Sequence, residues 1–281
     1  PVGGLWNSAP RNLLTLSPGQ WMEFAFLPFA QHAQEIGLEV DVNDLIVKTD
    51  LIDYYHRSPE RFEVGESIRC GEDVGAIEPH ERGFALTSRD VETAAERCYT
   101  CKYLVLATGQ RGKLRGLGVP GEDAPFVTSR YDQPADFPGE RIVVGGGGRS
   151  GDWAATELHD AGKQVYYAMR QGPEVQRRLI EDSRNGLPYY TRIAEILESR
   201  SPRLQTLYRT PISAIVGDGQ IDLETPEGRR VVEADHVIKE IGGIADYSIL
   251  KGFEPLQLEP MRDNYRFQVC LLYTSQSPRD S

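Results

Sequence analysis

Several large classes are excluded by what this chain lacks. No apolar run approaches the ~20 residues that span a membrane, and the apolar stretch FAFLPFA at 24–30 is short and broken by Pro28. There is no basic run, and a net charge of −11 argues against nucleic acid as the main partner. Four cysteines in 281 residues form no regular framework, which speaks against a disulfide scaffold and for a reducing, cytoplasmic compartment. His32, His56, His80, His159 and His236 show neither metal spacing nor a nucleophile partner, so packing and surface roles are their reading. What remains is ordinary globular material, 40% hydrophobic and 26% charged, long enough for a sizeable core and two domains.

One stretch organises the rest: RIVVGGGGRSGDWAATELHDAGKQVYYAMR, residues 141–170. A β-branched run (Ile142, Val143, Val144) meets four consecutive glycines (Gly145 to Gly148), then helix formers including Ala154, Ala155 and Leu158. Gly162 can end that helix, and Val165 to Ala168 reads as a second strand. Strand, glycine turn, helix and strand in about 30 residues is the dinucleotide-binding βαβ pattern. Gly146-x-Gly148-x-x-Gly151 fits its fingerprint, with Gly147, Arg149 and Ser150 inside the same loop. The first glycine allows the tight turn, the second lets backbone approach a pyrophosphate, and the third lets helix pack on strand. The helix N-terminus then offers unpaired N–H groups and a positive dipole end to the phosphates. An NAD-type site carries a ribose-binding acid about 20 residues beyond the glycines. Here that place holds Met169-Arg170, with Arg177 and Arg178 nearby. Guanidinium groups pair with a 2′-phosphate in bidentate fashion, so NADPH is expected over NADH, with Arg170 and Arg177 as its contacts. The alternative is an arginine-rich solvated loop.

Residues 1–19 read as loop, Gln20 to Gly37 as helix interrupted at Pro28, and Asn43 or Asp44 as the cap of a helix through Tyr54-Tyr55. Short strands are expected at Ser67–Cys70, Asp73–Ile77 and Phe84–Thr87, the last two joined by a turn at Glu81-Arg82-Gly83, and a buried strand at Lys102 to Ala107. After Arg170, Tyr189, Tyr190, Ile193, Ile196 and Leu197 fit a helical stripe. Ile212–Val216, Ile221–Leu223 and Arg230–Val232 suggest a β-meander, followed by a strand from His236 to Ile241. Both halves thus repeat one plan of meander, buried strand and glycine, which suggests two related domains.

The order GGLW, a meander, LVLATGQRGKLRGLGVPGED and then VVGGGGRSGDWAATEL resembles the flavoproteins with two dinucleotide-binding domains. These include thioredoxin-reductase-like enzymes, related ferredoxin–NADP reductases and flavin-containing monooxygenases. The resemblance implies an α/β fold of two Rossmann-like three-layer domains, the first incomplete. It places an FAD-binding domain at 1–125, an NAD(P)H-binding domain at 126–244 and a return to the FAD domain at 245–269. It implies that Gly3, Gly4 and Trp6 lie near the isoalloxazine and that Ala107, Thr108 and Gly109 turn against FAD. Gly146, Gly148, Ser150 and Gly151 would cradle the NADPH pyrophosphate. The family's first glycine fingerprint and its ribose-binding acid should precede Gly3, so the chain is expected to be an internal piece of a longer protein, with weakened FAD binding. Residues 270–281 are expected to lie outside that protein: CLLYTSQSPRD resembles the translation of an adapter used in sequencing libraries.

Cys98-Tyr99-Thr100-Cys101 has dithiol spacing, but it directly precedes the expected KYLVLATG strand, whereas the family's dithiol lies in the NADPH domain. On a strand, i and i+3 project to opposite faces, so inert cysteines are the reading. The monooxygenases' phenylalanine-glycine-histidine signature is not matched either: after Phe137-Pro138-Gly139, Val143 stands where the histidine should fall. The expectation is therefore an FAD-containing, NADPH-dependent reductase passing hydride to flavin and on to a small molecule or small redox protein. A monooxygenase and a non-catalytic nucleotide-binding remnant are the alternatives. The resemblance is compatible with a homodimer.

Overall fold

A computed structural model describes residues 2–109, 113–184, 191–244 and 246–252. Tyr189, Tyr190 and all residues from 253 onward, including most of the expected return segment and the 270–281 tail, lie outside the described residues. The described residues fall into two compact units, one within 1–70 and 107–246, the other within 71–106 and 247–252.

In the first unit, residues 1–19 are more than the expected loop, because β1 (Leu14–Pro18) follows a 3-10 turn at Gly4–Ser8. The helix expected from Gln20 is shorter: α1 (Phe29–Ile36) starts only after Pro28 and ends at Gly37, whose φ of 69° supplies the left-handed cap. The next helix also starts late. Leu45–Val47 form β2 antiparallel to β1, and α2 (Lys48–Arg61) follows. Pairing overrides the expected cap here: the buried Thr15 hydroxyl accepts the Ile46 N–H, and the Asp44 side chain accepts the Leu45 N–H. Phe29, Ile46, Leu51 and Tyr54 close a small core in which the Tyr54 hydroxyl donates to the Leu27 carbonyl at 2.7 Å.

The second unit is built on the meander β3 (Glu72–His80), β4 (Gly83–Asp90) and β5 (Glu96–Cys101), with the expected turn before Gly83. Gly83 has φ of 142°, and a Cβ there would lie 2.2 Å from the Cys101 carbonyl oxygen, so no larger residue fits. Residues 249–251 run beside Ile77, whose N–H donates to Ile249 and whose carbonyl accepts from Lys251. Two expected strands are not formed. Ser67–Cys70 continues irregularly from a 3-10 turn at Gly65–Ser67, and residues 102–109 are irregular, with Val105 86% exposed. An apolar run becomes a buried strand only where neighbouring strands take its N–H and C=O groups, and among the described residues none runs alongside it.

The rest of the first unit contains β6 (Lys113–Leu114), β7 (Val127–Thr128), β8 (Arg141–Gly145), α3 (Arg149–Asp160), β9 (Gln164–Ala168), α4 (Pro173–Arg184) and α5 (Thr191–Glu198). It continues through β10 (Leu204–Leu207), β11 (Ile212–Val216), β12 (Gln220–Thr225), β13 (Gly228–Glu233), β14 (His236–Lys239) and β15 (Gly243–Ile244). A five-stranded parallel sheet has the order β10-β9-β8-β14-β7. Alternation along β8 sends Ile142 and Val144 into a core with Ala154, Ala155 and Leu158 of α3 and Ile193 and Ile196 of α5. Val143 and Val237 face the other way, against Ile212, Ile221, Leu223 and Val232 of the antiparallel meander β11-β12-β13. Helices, parallel sheet and meander make three layers, which is why β8 is apolar on both faces. The α/β expectation holds, and one parallel sheet is formed among the described residues.

Candidate functional site

The chain leaves β8 toward β9 on one side and returns as β14 on the other, so the C-terminal end of β8 is a topological switch point, where open α/β sheets bind ligands. The glycine turn sits there, and its members do different things. Gly146 has φ of 128°, and a Cβ on it would lie 2.2 Å from the Glu240 carbonyl oxygen. A Cβ on Gly151 would lie 2.1 Å from the Gly146 carbonyl oxygen, and one on Gly147 would lie 2.6 Å from Gln171 Oε1. These three are glycines because protein atoms already fill the space. Gly148 is the exception: it caps α3 with extended backbone, and a Cβ there meets nothing within 4 Å among the described residues. Open space lies before the N-terminus of α3, where the Asp152 N–H donates to the Gly148 carbonyl at 3.0 Å. A phosphate-bearing dinucleotide fits such a cradle.

Around the turn, Gly146 N–H donates to Ala168 at 2.9 Å and Glu240 N–H to Gly145 at 2.8 Å, fixing it to both neighbouring strands. The Arg149 guanidinium donates to the Leu14 carbonyl and so ties the start of α3 to β1. Arg170 lies two residues beyond β9, is exposed, and adjoins Gln171, which lies against Gly147. Arg177 and Arg178 are exposed on α4. The other expected cofactor residues lie elsewhere. Gly3 (φ 101°) would bring a Cβ within 2.5 Å of Ile52 on α2, Gly4 also has positive φ, and Trp6 packs on the core of Phe29, Leu51 and Tyr54. Ala107, Thr108 and Gly109 are exposed and irregular.

Two further groups at the site stand outside the expected cofactor residues. Asp152, in the first turn of α3, is 3% exposed and accepts from the Tyr167 hydroxyl at 2.8 Å and Gln176 Nε2 at 3.2 Å. Burial pushes its carboxyl up to about 6 against the pull of those hydrogen bonds. A polar residue in a helical first turn ordinarily reads as solvated, so no local signal in the sequence marks its burial. The second is Glu122 of the VPGE segment. It accepts from Lys239 Nζ, Leu117 N–H and Gly118 N–H, each at 2.7 Å, and these hold its carboxyl at about 2, Lys239 foremost. Lys239 stands opposite Gly145 in the sheet register, so this pair pins the glycine-rich crossing beside the turn.

Cys98 and Cys101 are free thiols on β5, opposite Thr87 and Phe84, and their odd spacing directs them to opposite faces. Cys70, expected on a strand, lies exposed at the end of the irregular segment. Among the described residues no helix is long and apolar enough to cross a membrane.

The glycine turn at a switch point is matched by family comparison: the model of the pyridine nucleotide-disulphide oxidoreductase family matches residues 7–265. The chain belongs to this family. The flavoprotein resemblance therefore holds at that level. Among curated relatives of this family member, a ferredoxin–NADP reductase of Ignicoccus hospitalis is 42% identical over 73 residues, 26% of this chain and 24% of that protein. The indole-3-pyruvate monooxygenase YUCCA6 of Arabidopsis thaliana is 26% identical over 197 residues, 67% of this chain and 45% of that protein. The matches thus span less than half of these relatives' length. Among solved structures, the bacillithiol disulfide reductase Bdr of Staphylococcus aureus superposes with a TM-score of 0.68 at 19% identity, covering 87% of this chain and 67% of that one. A flavin-containing monooxygenase of Stenotrophomonas maltophilia gives 0.62 at 19% identity, covering 89% and 70%. At that identity the structures speak for the fold.

Proposed function

We propose that the chain belongs to an NADPH-dependent, FAD-containing reductase and that Gly146 to Gly151 form its NADPH site. The observation that carries this is Gly148, the one fingerprint glycine whose missing side chain leaves open space rather than a protein contact. When bound, NADPH supplies a hydride and FAD accepts it and relays electrons to a small molecule or small redox protein. The chain's own share is binding and orientation. Gly147, Arg149 and Ser150 complete the loop that presents the α3 amides to phosphate, and Arg170 and Arg177 select a 2′-phosphate. Gly3, Gly4, Trp6, Ala107, Thr108 and Gly109 form the flavin side, so that residues 1–125 and 245–269 serve FAD and residues 126–244 serve NADPH. The unpaired cysteines support a cytoplasmic setting.

The matches to monooxygenases favour a second reading, in which reduced flavin meets oxygen. Anaerobic spectroscopy tests both: flavin absorbance bleached by NADPH and restored by an electron acceptor supports the reductase, and an oxygenated-flavin spectrum on admitting air supports the monooxygenase. A protein that takes up no FAD and gives neither signal would sink both and leave a nucleotide-binding remnant.

A further inference from the structure

We propose that Asp152 is a positioning residue of the dinucleotide site, holding α3 to β9 and α4, and that its charge state sets how tightly the cradle takes an anionic pyrophosphate. The inference rests on the dinucleotide reading above.

Asp152 follows the last fingerprint glycine and has one carboxylate oxygen in use and one idle. Oδ1 accepts from Tyr167 on β9 and from Gln176 on α4, whereas Oδ2 is buried with no hydrogen-bond partner among the described residues. The network continues, because the Tyr208 hydroxyl beyond β10 donates to Gln176 Oε1. Arg170 follows the strand of Tyr167, and Arg177 follows Gln176 in the chain. One carboxyl therefore braces the phosphate cradle against both elements that carry the candidate 2′-phosphate contacts.

A half-satisfied buried carboxyl is costly, and placing it at this helix terminus has a consequence. The positive end of α3 stabilises either the Asp152 carboxylate or an anionic ligand, and two negative charges there repel. Protonated Asp152 leaves the helix end to the ligand. The groups facing it are Tyr167 of β9, Gln176 of α4 and Tyr208, which also feels Arg177; on α3 itself Arg149 stands at the start, and Glu157, His159 and Asp160 at the far end. Burial moves the carboxyl into the range where this switch operates near neutral pH.

ADP-ribose is the probe, since it carries the pyrophosphate but no 2′-phosphate, and its charge is constant from about pH 5 to pH 8. By calorimetry, the 281-residue chain is expected to bind it about five- to tenfold more tightly at the acid end. Asp152→Asn keeps the side-chain shape and should bind with no pH step. Tyr167→Phe removes a donor that favours the carboxylate, so its step should move to higher pH, a shift that a purely structural role would not produce. Wild-type affinity independent of pH, an Asp152→Asn variant with the wild-type step, or an unmoved step in Tyr167→Phe each overturns the role of Asp152 while leaving dinucleotide binding standing. Absence of ADP-ribose binding at every pH overturns the dinucleotide reading itself, and this inference with it.

Discussion

Gly151 lies so close to Gly146 that a Cβ would sit 2.1 Å from the Gly146 carbonyl oxygen, whereas a Cβ on Gly148 between them would touch nothing within 4 Å among the described residues. Steric demand and ligand access are thus divided within one turn. Gly151→Ala is expected to lose about 2 kcal/mol or more of stability in urea unfolding, because backbone must move to admit the methyl group. Gly148→Ala should unfold like the wild type yet bind ADP-ribose at least about tenfold more weakly. Equal unfolding midpoints for the two variants would contradict this division.

Arg170 stands exposed two residues beyond the end of β9. Arg170→Ala is expected to weaken NADPH binding about tenfold or more and NADH binding little, since a guanidinium–phosphate pair is lost only with NADPH. Parallel titrations with both nucleotides check it, and equal losses would return Arg170 to the solvated loop.

Asp152 makes stability depend on pH. Its folded-state carboxyl is raised from 3.8 to about 6, so its favourable contribution is complete below the unfolded value and is lost as pH rises through about 6. Asp152→Asn removes that loss. Relative to wild type, the variant should gain on the order of 2 kcal/mol between about pH 4 and pH 8. Urea titrations at the two pH values measure the difference, and a constant gap would show that the carboxyl is not held as described.

Glu122 has the opposite sign. Lys239 and the Leu117 and Gly118 amides hold its carboxyl at about 2, from an ordinary 4.5. Its stabilisation is present above the unfolded value and lost as pH falls toward about 2. Glu122→Gln should cost on the order of 1 kcal/mol at neutral pH, a cost that shrinks in acid. Thermal melts at about pH 7 and pH 3 would show it, and an equal drop at both would place the effect in packing.

The βαβ unit from Arg141 to Ala168, the α1 stop at Gly37 and the meander after Ile212 were legible in the sequence because each is signalled locally, by apolar period and by glycine. β10 was not: Leu204–Leu207 alternates apolar and polar residues too briefly to stand out, and it becomes a strand only because β9 pairs with it. Leu45–Val47 looked like the start of a helix until Thr15, far off in sequence, took the Ile46 N–H. Lys102 to Ala107 erred the other way, since hydrophobicity cannot supply the neighbouring strands a buried strand needs.

By itself, then, the sequence determined that a glycine turn joins a buried strand to a helix, and hence where a dinucleotide site would be. Glycines are indistinguishable in one dimension, however. Only the tertiary structure decided that Gly146 yields to the Glu240 carbonyl, Gly151 to Gly146, and Gly148 to nothing. It likewise decided that Asp152 is buried, because Tyr167 and Gln176 converge on it from elements distant in the chain. Which atoms fill a space, and which charge is cut off from water, are set by contacts between distant segments, and no local pattern encodes them.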